Sequence, residues 1–109
     1  MRVQITVPRN TPIATPLVVQ MMYPGSRIDT IDVGVPPGHA YLTGLQLYAG
    51  NLSAPLIPES GSNIAFLVED GNHVISHTPV IFDEPSFKLI FKCYNLSNFY
   101  NHTFTIDLD

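Results

Sequence analysis

Apolar and polar residues alternate with a period of two along most of this chain. From Arg2 to Val7, Val3, Ile5 and Val7 share one face and Arg2, Gln4 and Thr6 the other, the pattern of a half-buried strand. Pro8-Arg9-Asn10-Thr11-Pro12 follows as an extended turn segment. A second strand is expected from about Thr15 to Met22, stopped by Tyr23-Pro24-Gly25-Ser26, whose Pro and Gly favour a turn. A third runs from Arg27 to Val33. Its alternation slips between Ile28 and Ile31, as a β-bulge would make it. Gly34-Val35-Pro36-Pro37-Gly38 then breaks the pattern as a stiff crossover between sheets.

The fourth expected strand, Ala40 to Ala49, is apolar on both faces: Tyr41, Leu45 and Leu47 on one, Leu42 and Tyr48 on the other. Such a strand is covered on both sides. Gly50 to Asn63 reads as loop. A fifth strand, Ile64 to Val68, leads into Glu69-Asp70-Gly71-Asn72, where Asp70-Gly71 signals a type I′ hairpin turn. Pro79 places the sixth strand, His73 to Ile81, at a sheet edge. Ser86 to Asn95 sets Phe87, Leu89, Phe91 and Cys93 against Lys88 and Lys92, and His102 to Leu108 turns Phe104, Ile106 and Leu108 inward. No long stretch keeps a helical period free of Pro and Gly. About eight short strands predict an all-β chain, one small antiparallel β-sandwich over residues 1–109. It is expected to be jelly-roll-like, with an immunoglobulin-like arrangement as the alternative.

Composition then narrows the classes of function. Only 13% of residues are charged, 45% are hydrophobic and the net charge is -4. Disorder needs the opposite balance. Five cations cannot neutralise many phosphates, so nucleic acid is not an expected partner. The first strand alternates where a signal peptide would be continuously apolar, and no apolar run reaches transmembrane length. Neither a signal peptide nor a transmembrane segment is expected. The single Cys93 has no partner for an internal disulfide and reads as a small apolar residue on an inner face.

Motifs for chemistry are few. His73 and His77 are spaced for a metal only on a helix; on a strand they stand about 13 Å apart at ~3.3 Å per residue. The acidic turns at 69–72 and 83–84 lack the spacing of a calcium loop. No nucleophile elbow or glycine-rich phosphate loop is present, and the expectation is a non-enzyme with no catalytic residue, cofactor or metal. Asn51, Asn95 and Asn101 begin N-glycosylation sequons.

The low charge points elsewhere. Free domains solubilise themselves with interspersed charges, whereas charges are depleted at interface cores. Phe99 and Tyr100 sit in a polar loop, and exposed aromatics favour interfaces, though they could instead fold back to plug the core. The Pro-rich segment 8–16 is stiff enough to lie across a partner. The candidate interface residues are therefore Phe99, Tyr100, Pro12, Ile13, Pro36 and Pro37.

Taken together, Val7-Pro8-Arg9-Asn10-Thr11-Pro12 after the first strand, Val35-Pro36-Pro37-Gly38 followed by Gly44-Leu45-Gln46-Leu47, and the strand rhythm are similar to small β-sandwich structural proteins of viral particles. These include single jelly-roll minor capsid, penton and decoration proteins of bacteriophages. The resemblance spans the chain and carries no functional residue over. It implies a virion component that forms a homo-oligomer and packs against other capsid proteins. The alternative is a soluble lectin-like or adhesin-type binding module, extracellular or at a cell surface.

Overall fold

A computed structural model describes residues 1–35, 42–50, 56–57, 66, 71–81 and 86–109, with the backbone alone over 72–80. These residues hold seven strands: β1 (Arg2–Val7), β2 (Leu17–Tyr23), β3 (Arg27–Val35), β4 (Thr43–Ala49), β5 (Gly71–Ile81), β6 (Phe87–Asn95) and β7 (His102–Leu108). They form two antiparallel sheets, a four-stranded one ordered β1-β7-β3-β5 and a three-stranded one ordered β2-β6-β4. Each described strand lies in the opposite sheet from the one before it. An immunoglobulin-like sandwich keeps its first two strands in one sheet. Here β1 and β2 are in different sheets and β7 lies between β1 and β3, so that alternative does not describe this chain.

The alternation reads out directly as burial. Val3, Ile5 and Val7 of β1 are buried, as are Phe104, Ile106 and Leu108 of β7. They meet Ile28, Ile31 and Val33 from their own sheet and Leu45, Leu47, Leu89 and Phe91 from the other in one core. Burying each large side chain contributes about 1.5–3 kcal/mol. The slip in β3 is a bulge. The N–H groups of Asp29 (2.6 Å) and Thr30 (3.0 Å) both donate to the Asp109 carbonyl, so two residues face one and Ile28 and Ile31 both point inward. On the other flank of β3, Ile28 pairs with Val80 but Thr30 with Ser76, which places the extra residues of β5 next to Pro79 on the sheet's edge.

Several boundaries move from those expected. The second strand begins at Leu17, not Thr15. Thr11 bridges Asn95 and Leu17 pairs with Cys93, so residues 12–16 loop out from the end of the ladder, where Pro16 offers no N–H. Gly71 has the positive φ that a hairpin turn requires (109°), yet it is the first residue of β5 and pairs with Val35. Strand β3 runs on to Val35, into the segment expected to break it. The expected Ile64–Val68 strand lies outside the described residues except for Phe66, and Pro36 and Pro37 lie outside them altogether.

Strand β4 is buried on both faces, but on the outer one at Gly44 and Gln46; Leu42, expected there from the sequence, lies before the strand and is exposed, and Tyr48 is half-buried. Leu45 and Leu47 face the core. On the outer face Tyr94 of β6 leans over its register partner Gly44, and the Phe66 and Tyr94 rings meet in a T-shaped contact with centroids 5.0 Å apart. A Cβ at position 44 would strike the Tyr94 ring, so the strand needs glycine there. Beside β4, Ile57 forms an antiparallel bridge with Leu47.

Candidate functional site

The inward register of β6, Phe87, Leu89, Phe91 and Cys93, continues to a polar residue, Asn95. Its side chain is fully buried and must therefore be bonded. Asn95 Nδ2 donates to the Val7 carbonyl (3.0 Å) and the Tyr100 carbonyl (2.9 Å), and its Oδ1 accepts from the Ser97 N–H (3.0 Å). Its backbone exchanges two bonds with Thr11, at 2.8 and 3.0 Å. One residue thus ties together three segments: its side chain holds the end of β1 and the loop before β7, and its backbone holds the crossover 8–16. Buried Ser97 adds a second tie, because its Oγ accepts from the N–H groups of Phe99 and Tyr100, each at 3.2 Å. Asn10, at φ 60°, closes the other side by donating its N–H to the Ser97 carbonyl.

This scaffold holds two large rings out in solvent. Phe99 is 76% exposed and Tyr100 70%, with centroids 6.4 Å apart. They do not plug the core. Exposed Leu96 belongs to the same loop, and its N–H donates to the carbonyl of exposed Leu42. Exposed Pro12 and Ile13 sit in the loop-out beside the end of β6. The structure therefore gathers four of the six expected interface residues, Phe99, Tyr100, Pro12 and Ile13, at one end of the sandwich. Leu42 and Leu96 join them there. No pattern marked those two in advance, but the polar Asn95 at an inward position was a readable signal of the hub that orders the end.

The remaining candidates are placed as follows. Cys93 is buried, and burial pushes its thiol up to about 12, so it is neither a nucleophile nor a ready ligand at neutral pH. His73 and His77 lie on β5, an extended strand. The Asn95 sequon cannot be modified in the folded chain, since its Nδ2 is held inside. Asn101 is exposed and accepts from the Arg9 N–H (3.0 Å), and Asn51 lies outside the described residues. Among the described residues no three potential metal ligands cluster, and no helix is long and apolar enough to cross a membrane. What this end can do is bind: flat apolar groups on a fixed backbone suit desolvation against another surface. No protein-family model matches the chain, and no curated protein matches its sequence.

Proposed function

We propose that this chain is a non-enzymatic structural component of a viral particle, a minor capsid, penton or decoration protein that self-associates and packs against a shell. The observation that carries the reading is the ordered loop that presents Phe99 and Tyr100 to solvent from buried Asn95 and Ser97. A soluble chain has no use for two bare rings held rigidly, whereas an interface centred on aromatic anchors does.

The fold reading that goes with it is a single jelly roll. One further strand from the segment between β4 and β5, set beside β4 where Ile57 already bridges Leu47, would bring the sheets to the order 1-8-3-6 and 2-7-4-5, that of a jelly roll. The test is a Phe99→Ser/Tyr100→Ser variant. It is expected to fold with an unchanged melting temperature and to lose attachment to the particle, read as its absence from purified virions. Full incorporation of the double variant would overturn the reading. A lectin-like or adhesin-type module is the second reading, favoured by the same aromatic pair. It would show as saturable glycan binding by the wild-type chain that the double variant loses.

A further inference from the structure

Strand β2 is an edge of the three-stranded sheet, and among the described residues no strand pairs with its outer side. Native proteins blunt such edges with charges, prolines or bulges. Leu17-Val18-Val19-Gln20-Met21-Met22-Tyr23 carries none of these, and Pro16 and Pro24 stand just outside it. Val18 is 48% exposed and Met22 55%, with exposed Gln20 between them.

The hydrogen-bond phase of the edge follows from the ladder. Bonding directions alternate along a strand. Asn95 bonds to Thr11 on the β2 side of β6, while the Lys88 carbonyl accepts from Gly50 on the β4 side. Odd-numbered residues of β6 therefore bond towards β2, and through the register their partners Leu17, Val19, Met21 and Tyr23 bond towards β6. The N–H and C=O groups of Val18, Gln20 and Met22 are left at the open edge, with their side chains on the outer face.

We infer that this edge pairs with the same edge of a second copy, antiparallel and centred on Gln20. The inference rests on the self-association reading above and names a surface for it. About a two-fold axis at Gln20 the strand is self-complementary: Val18 faces Met22 of the other copy, Met22 faces its Val18, and amide meets amide at Gln20. Those three pairs exchange two backbone bonds each. The cations do not oppose the pairing. Lys88 is the register partner of Met22 and Lys92 of Val18, so each row runs Lys88, Met22, Val18, Lys92 across the two copies. Three strand spacings, about 14 Å, then separate like charges, beyond the screening length of about 8 Å. Pro16 and Pro24 bound the length of the join, and because the two-fold uses the same edge of both copies the pair is closed and does not grow into a fibre.

The test is sedimentation of the full chain with Phe99→Ser/Tyr100→Ser as background. That background is expected to run at twice the chain mass. Adding Gln20→Pro removes only an edge donor, because the Gln20 N–H does not serve the ladder to β6, and it should halve the mass. Gln20→Lys sets like charges directly opposite and should halve it too, with folding checked by far-UV circular dichroism and melting. As a direct readout of register, Gln20→Cys should oxidise to a linked dimer while Thr6→Cys, on the other sheet, does not. Paired residues there would be about 5.5 Å apart at Cα, within disulfide reach, and native Cys93 is buried. A folded Gln20→Lys or Gln20→Pro chain that keeps the double mass overturns the pairing. If the loop variant alone is already a monomer while wild type is not, the β2 pairing fails and the self-association reading survives. A wild-type chain that stays monomeric at high concentration sinks both.

Discussion

The two outer faces of this sandwich are built on different principles. On the four-stranded sheet, β1 and β7 show Arg2, Gln4, Thr6, Thr103, Thr105 and Asp107 to water. These residues pair across the strands: Arg2 donates to both oxygens of Asp107 (2.9 and 3.2 Å), and the hydroxyls of Thr6 and Thr103 lie 2.9 Å apart. The β1–β7 half of that face is finished. On the three-stranded sheet, the β4 half is roofed by the chain itself, with Tyr94 over Gly44, while the β2 half shows Val18, Gln20 and Met22. Between the halves, Lys92 reaches over the Tyr48 ring at 5.3 Å. Strands β2 and β4 thus carry no charged residue, and only the β4 half of their sheet is covered from within.

Four changes probe this contrast. The largest effect belongs to the roofed half. Gly44→Val must displace the Tyr94 ring, which should cost about 3 kcal/mol in chemical denaturation. A loss well below 1 kcal/mol would show that the roof is loosely held. On the finished face, Thr6→Val removes the hydroxyl pair with Thr103 and keeps the branched side chain. About 0.5 kcal/mol of destabilisation is expected.

The Arg2–Asp107 pair should register through pH. The hydrogen bond from Arg2 holds the Asp107 carboxyl below its ordinary range. A lowered carboxyl adds stability that is complete above its unfolded pKa, about 3.9, and is lost as pH falls through the folded value. Melting curves of Asp107→Asn should therefore lie below wild type at neutral pH and converge with it in acid. Because the pair is exposed, added salt should shrink the gap. The smallest effect is expected at Met22→Lys on the open half. In dilute solution, where the chain is monomeric, its stability should stay within about 0.5 kcal/mol of wild type. A large loss would mean that Met22 is covered by the chain after all.

Much of the strand map was legible because burial in a sheet is written at period two. Arg2–Val7 and His102–Leu108 coincide with β1 and β7, and the slip at Ile28 to Ile31 marks a true bulge. The order of strands was not legible, since alternation says which face a residue takes and nothing about its neighbour. That Val3 pairs with Ile106 is a property of the assembled sheet. The meaning of doubly apolar strands was half legible. In β4 the cover lies over Gly44 and comes from Tyr94 of the same chain, while Leu42, part of the apolar pattern, is exposed. In β2 a similarly apolar run has an outer face that the chain leaves open. At the loop end the aromatic pair stood out in sequence, whereas the reason it is held outward, the bonds of Asn95 and Ser97, depends on three segments meeting in space.

The crossing of every described strand to the opposite sheet has a consequence for how the chain acquires its shape. Among the described strands no two successive ones pair with each other, so none of these seven is stabilised by its nearest neighbour in sequence as the polypeptide emerges from the ribosome. Strand β1 finds its neighbour only when β7 has been made, and β7 also joins β1 to β3. Folds dominated by such distant pairings form slowly, in milliseconds to seconds. Synthesis of β7 is therefore the step that unites the four-stranded sheet, and a chain stopped before His102 would have that sheet divided into two separate pieces.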